Sequence, residues 1–269
     1  GAGGYGYRPA LRAVYQYYCH NHPGPDEPQY PLNIGLPAGQ RMTGKELAER
    51  VEACTGAGKP AAERSPEQAR NLAAITAVTR VPERTLVSHM NWATFLYRDI
   101  VAERLGGRSP FGNEGVRYTG SADDAALNAG VARLQADPQA VAELAEDSDL
   151  TGKVTIPTLT LHAIDDPTAF VEHESHYRAV REKAGTAALL VQTFTREHVH
   201  SKLHTPEYAA AFAALSRWVD TKQPPEPAAI AASCEGYRKA YPETCLFDPA
   251  FHPAPYDSRV YPRDPAGKG

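Results

Sequence analysis

The 269 residues carry a net charge of -4 and are 42% hydrophobic, enough apolar content to bury a core and too much for a disordered chain. The acidic balance, with no basic stripe interleaved with aromatics, argues against a nucleic-acid partner. No apolar run approaches the roughly 18 residues that a membrane span needs, so no membrane partner is expected either.

In chain order, Gly1-Ala2-Gly3-Gly4 lacks the charged and apolar regions of an export signal, so a secreted form of this chain is expected to owe its start to processing. Arg8 to Cys19 mixes apolar and aromatic residues and reads as a helix after Pro9. His22 to Pro37 is proline-rich and reads as an extended loop, with His20 and His22 at the surface. Thr43 to Cys54 predicts a helix with a Thr43–Glu46 capping box and an apolar face of Leu47, Val51 and Cys54. Ser65-Pro66-Glu67-Gln68 starts another, running to about Thr79. Further helices are expected over Glu83–Leu105, Ala122–Gln135 and Pro138–Ala145. Tyr15, Tyr17, Tyr18, Trp92, Phe95 and Tyr97 are the aromatic residues of this helical region. They form its core, or in part line an apolar pocket.

The texture changes at residue 153. Thr158-Leu-Thr-Leu-His162 is β-rich and stops at Asp165-Asp166-Pro167; a helix follows over Val171–Ala184, closed by Gly185. A second β-rich run, Ala188–Thr195, ends in His198-Val199-His200. The next helix takes Thr205 as N-cap and Pro206 as first residue, and carries Tyr208, Phe212, Leu215 and Val219 on one face. A short helix and a proline- and tyrosine-rich tail follow Pro224. Strand, helix, strand, helix is the grammar of a parallel sheet with covering helices. The fold class expected is therefore α/β, in three parts: a mainly helical region 1–152, an α/β part 153–222, and an extension 223–269.

The four cysteines fall into local pairs, Cys19 with Cys54 and Cys234 with Cys245, at spacings unlike zinc ribbons or thioredoxin motifs. With 23 prolines and two methionines, they predict two disulfides and an extracellular protein; four buried thiols are the alternative.

In an open parallel sheet, functional side chains collect where strands end. Here the first strand ends in Asp165 and Asp166 and the second in His198 and His200. That is the second half of a Ser…Asp…His order, in which the carboxylate fixes the imidazole tautomer and the imidazole shuttles the nucleophile's proton. Asp165-Asp166-Pro167 can equally be an Asx-type turn.

His162-Ala-Ile-Asp165-Asp166-Pro167-Thr-Ala-Phe-Val171 resembles the acid loop of the α/β-hydrolases, commonly written H-G-x-x-D-x-x-V. That register implies Asp166 as the catalytic carboxylate, with Asp165 beside it. Phe194-Thr-Arg-Glu-His198-Val199-His200 resembles the family's strand into a Gly-His dipeptide, which implies His200 as the catalytic histidine; Val199 stands where the family carries glycine. Asp165 and His198, and after them His204, are the fallback residues. The stretch from Ala10 to Cys54 is similar to the helical cap of actinobacterial secreted α/β-hydrolases, and Cys234 to Arg263 to their C-terminal extension. The resemblance implies a serine esterase, without cofactor or metal, acting on a small-molecule or polymeric ester. The fold implied is the C-terminal half of a doubly wound sheet preceded by a cap.

No G-x-S-x-G occurs; Gly107-Arg-Ser109-Pro-Phe comes closest and reads as a loop. The nucleophile and oxyanion hole are thus expected on an N-terminal α/β-hydrolase segment outside these residues, the implied partner. A non-catalytic fragment or partner-binding subunit is the competing class. A zinc hydrolase built from His198, His200 and His204, or from His173 and His176, is weaker, because His173-Glu-Ser-His176 is one residue short of H-E-x-x-H.

Overall fold

The computed structural model describes residues 7–21, 35–37 and 39–261. The glycine-rich start, His22 and most of the proline-rich stretch lie outside the described residues. The chain divides into two compact units, Gly1–Asp149 with Arg259–Gly269, and Leu150–Ser258.

The first unit is helical. α1 (Tyr7–Cys19) buries Leu11 and Val14, α2 (Gly44–Thr55) buries Leu47 and Val51, and α3 (Pro66–Thr79) buries Leu72 and Ile75. Each such side chain contributes about 1.5–3 kcal/mol by leaving water. Both expected capping boxes form, Thr43 with Glu46 and Ser65 with Gln68. Cys19 and Cys54 are disulfide-bonded, 5.7 Å apart at Cα, tying α1 to α2.

The helix expected over Glu83–Leu105 is broken. A tight turn at Glu83–Thr85 leads into α4 (Leu86–Asn91), and π-helical turns follow over Trp92–Leu96 and Asp99–Arg104. Leu105 N–H donates to the carbonyl of Ile100, five residues back. Hydrophobic spacing over so short a run does not separate a 3.6-residue turn from a wider one. Within this stretch Tyr97 is fully buried and stacks on Phe111, with ring centroids 4.4 Å apart.

The helix expected over 122–135 is only α5 (Asp124–Gly130). Beyond it, tertiary hydrogen bonds claim the backbone: Asn113 Nδ2 donates to Ala132 O, and Asn113 Oδ1 accepts from Leu134 N–H. α6 (Pro138–Ser148) completes the unit's helices, capped by Asp137.

The second unit holds β1 (Thr158–Ala163), α7 (Glu172–Lys183), β2 (Leu190–Thr195), α8 (Thr205–Thr221) and α9 (Pro227–Tyr237). β1 and β2 are parallel, in register from Thr158 opposite Leu190 to Ala163 opposite Thr195. Chain from the tail lies along the outer edge of β2: Phe247 bridges Thr195, Arg196 N–H donates to Leu246 O, and Asp248 N–H donates to Phe194 O. The other edge of β1 has no strand partner among the described residues.

Arg181 on α7 is fully buried. Its guanidinium donates to Val154 O, Thr186 O, Thr186 Oγ1, Tyr177 OH and Thr158 Oγ1, which fixes the approach to β1 without a carboxylate. Gly152 takes a positive φ of 69°, and a Cβ there would collide with the Val180 carbonyl.

α8 departs from expectation in two ways. His204, not Thr205, is its N-cap, and Thr205 is the first helical residue. The buried face carries Ala210, Ala211 and Trp218, with Ala210 packed against Ile230 and Cys234 of α9. The large apolar stripe named from the sequence is instead mostly open, with Tyr208 46%, Phe212 73% and Val219 44% exposed. Ala210 lets α9 approach closely, while Tyr208, Phe212 and Val219 point away. Cys234 and Cys245 form the second disulfide, which ties α9 to the tail beside β2.

Candidate functional site

The loop after β1 starts as a continuation of the sheet. Ile164 N–H donates to Thr195 O at 2.8 Å, and Asp165 N–H reaches Glu197 O at 3.3 Å. The chain then turns, and Asp166 N–H donates back to Ala163 O. Asp166 is 5% exposed, and its Oδ1 accepts from the N–H groups of Thr168 and Ala169 at 2.7 and 2.9 Å. This is an Asx turn, and it consumes one carboxylate oxygen only.

The other oxygen, Oδ2, lies 2.8 Å from Nδ1 of His200, on the loop after β2. An ionised carboxylate only accepts, so Nδ1 is the donor in this contact, and in a neutral ring so held the lone pair falls on Nε2. That is the tautomer a general base requires. The His200 side chain is half exposed, so its outer edge is open to an incoming group.

Asp165 and His198 form a separate pair at 2.9 Å, with side chains 60% and 72% exposed. The sequence candidates thus sort into two acid–histidine pairs, one with a buried acid and one at the surface. An exposed pair is loosely held and contributes little.

Beneath Asp166 lies a network that the sequence reading did not single out. His162 on β1 donates from Nε2 to Ala169 O at 2.9 Å and from Nδ1 to Glu174 Oε1 at 3.2 Å, and Nε2 sits 3.5 Å from Asp166 Oδ2. Glu174 on α7 also accepts from Thr160 Oγ1 and Gln192 Nε2. Burial is the largest single influence and works against both charges, but it is outweighed jointly by the mutual hydrogen bond, the Ala169 carbonyl beside His162, and the Thr160 and Gln192 donors to Glu174. The His162 pKa is raised and that of Glu174 is lowered. A signal was available: Thr160, His162 and Gln192 are polar residues inside strands, and Thr160 and His162 share one face by the two-residue period.

Of the histidines weighed as metal ligands, His173 and His176 are otherwise engaged. His173 Nδ1 donates to Phe170 O at 2.7 Å, and His173 and His176 both pack on the Tyr256 ring. Ser109 lies in a loop of the helical unit, where its hydroxyl bonds the Phe111 backbone. A third cluster gathers Glu197 and His204 with Glu207 of α8. Comparison with protein-family models, with curated proteins and with solved structures gave no match.

Proposed function

We propose that this chain contributes the acid and the histidine of a serine-type carboxylic-ester hydrolase of the α/β-hydrolase kind. The observation that carries the reading is the 2.8 Å contact between buried Asp166 and His200, each on the loop after a parallel strand. In this reading His200 takes the proton of a serine during acylation and returns it to the leaving alcohol. Asp166 holds the ring and stabilises the imidazolium.

The serine and the oxyanion donors lie on an N-terminal α/β-hydrolase segment outside these 269 residues, since no G-x-S-x-G is present. Two features of the second unit support such a neighbour: the edge of β1, which has no strand partner among the described residues, and the exposed apolar face of α8. A two-stranded parallel sheet needs cover, and an open edge seeks a strand. The paired cysteines fit an oxidising compartment, and secretion is part of the proposal. No helix of the described residues is long and apolar enough to cross a membrane.

The test is fluorophosphonate labelling with peptide mapping of the active preparation, alongside p-nitrophenyl ester turnover by the 269-residue chain alone. The expected label falls on a serine outside this sequence, and the chain alone is inactive. A labelled serine inside it, or turnover by the chain alone, overturns the divided site.

A further inference from the structure

Glu197 ends the chain's run alongside β1, His204 caps α8, and Glu207 sits in the first turn of α8. One donor atom from each lies within 4.8 Å of the others. Glu207 is fully buried. Its Oε1 accepts from Thr195 Oγ1 at 2.7 Å and Leu246 N–H at 2.6 Å, whereas its Oε2 is buried without a hydrogen-bond partner. Glu197 Oε1 is in the same condition: it lies 3.1 Å from His204 Nδ1, yet makes no hydrogen bond. His204 Nδ1 is directed instead at the carbonyl of Thr244, 2.8 Å away.

The charges do not balance. Two buried carboxylates face each other, and among the described residues no lysine or arginine pairs with either. Burying an uncompensated carboxylate is costly, and so is leaving a buried oxygen without a donor.

We propose that Glu197, His204 and Glu207 form a binding site for a divalent cation of the zinc class. Such an ion cancels both carboxylate charges and satisfies both orphaned oxygens. An imidazole beside two carboxylates suits zinc better than calcium, which prefers an all-oxygen shell. Zinc bonds of about 2.0–2.2 Å set tetrahedral donors about 3.4 Å apart, so donors that stand within 4.8 Å of one another must close in on the ion. His204 then coordinates through Nδ1, with its proton on Nε2. The ion would join the two ends of the 198–203 loop, which carries His200, to the first turn of α8. Its role is to hold that loop. It is independent of the esterase reading and needs no turnover to be observed.

The purified chain is stripped with a chelator, then titrated separately with zinc, calcium and magnesium salts. Bound metal after gel filtration and the thermal midpoint are the readouts. One zinc ion is expected to be retained per chain, with a raised midpoint. Glu207→Gln, which keeps the oxygen facing Thr195 and Leu246, is expected to weaken binding by about 100-fold or more, judging from the 10–100-fold cost of losing even an outer-shell partner. His204→Ala, at a partly exposed position, is expected to do the same. His198→Ala and His200→Ala are expected to retain the ion. No retained zinc, retention that survives both site variants, loss in the His198 or His200 variant, or preference for calcium or magnesium over zinc would each overturn the assignment.

Discussion

At Asp166 the two carboxylate oxygens face different partners: Oδ1 holds the turn through Thr168 and Ala169, and Oδ2 meets His200. The turn reading and the catalytic reading of this residue are therefore not rivals, and the division decides what each substitution does. Asp166→Asn retains an oxygen for the turn but presents an amide to His200 Nδ1, which favours the wrong tautomer. In the completed enzyme we expect intact folding and a fall in kcat of up to about 10⁴, the loss such a change causes in a serine protease. His200→Ala is expected to remove nearly all turnover. His198→Ala and Asp165→Asn touch only the exposed pair, and are expected to stay near wild type. Ester turnover of the four variants is the measurement. If His198→Ala abolishes activity while His200→Ala retains it, the assignment is off by two residues; if both retain it, the triad reading fails.

At the scale of elements, the contact between β1 and α7 runs through His162 and Glu174. The folded pKa of Glu174 is lowered, so its stabilisation is present above its usual 4.5 and is lost as pH falls through the folded value. The folded pKa of His162 is raised, so its share is full below the usual 6.5 and is lost as pH rises through the folded value. The pair is expected to stabilise most between pH 4.5 and 6.5. Urea midpoints of wild type and Glu174→Gln across pH 3–9 check this, and a difference that does not vary with pH rules the pair out as the source. The sequence made β1, β2, α2, α3 and α7 legible because caps, prolines and glycines mark their ends. It hid the breaks at 92–104 and 131–135, where tertiary hydrogen bonds and aromatic stacking overrule local spacing. It also misled over α8: helical periodicity finds a stripe of large apolar residues but not which stripe a neighbour covers. The acid and histidine loops were readable because strand ends and chain order fix them. The Glu197, His204 and Glu207 cluster was not, because a β-bridge with the distant tail helps to bury it.

At the scale of the molecule, each compact unit contains one disulfide, and neither bond joins the two. Their contributions should therefore be separable. Cys19–Cys54 closes a sequence separation of 35 and Cys234–Cys245 one of 11. On the chain-entropy account these correspond to about 3.8 and about 2.8 kcal/mol of stabilisation, acting by restricting the unfolded chain. Replacing a pair by alanines keeps the buried positions apolar, so the change reports mainly the lost crosslink. The Cys19→Ala, Cys54→Ala variant is expected to lower the stability of the helical unit and leave exchange in β1 and β2 unaltered. The Cys234→Ala, Cys245→Ala variant is expected to do the reverse and by less, loosening α9 and the tail along β2. Hydrogen exchange resolved by peptide, read with non-reducing peptide maps of the wild type, separates the two. A crossed pairing or free thiols in the maps would remove both the disulfide assignment and the compartment argument built on it. Loss of protection in β2 when only the first pair is removed would show that the two units unfold as one.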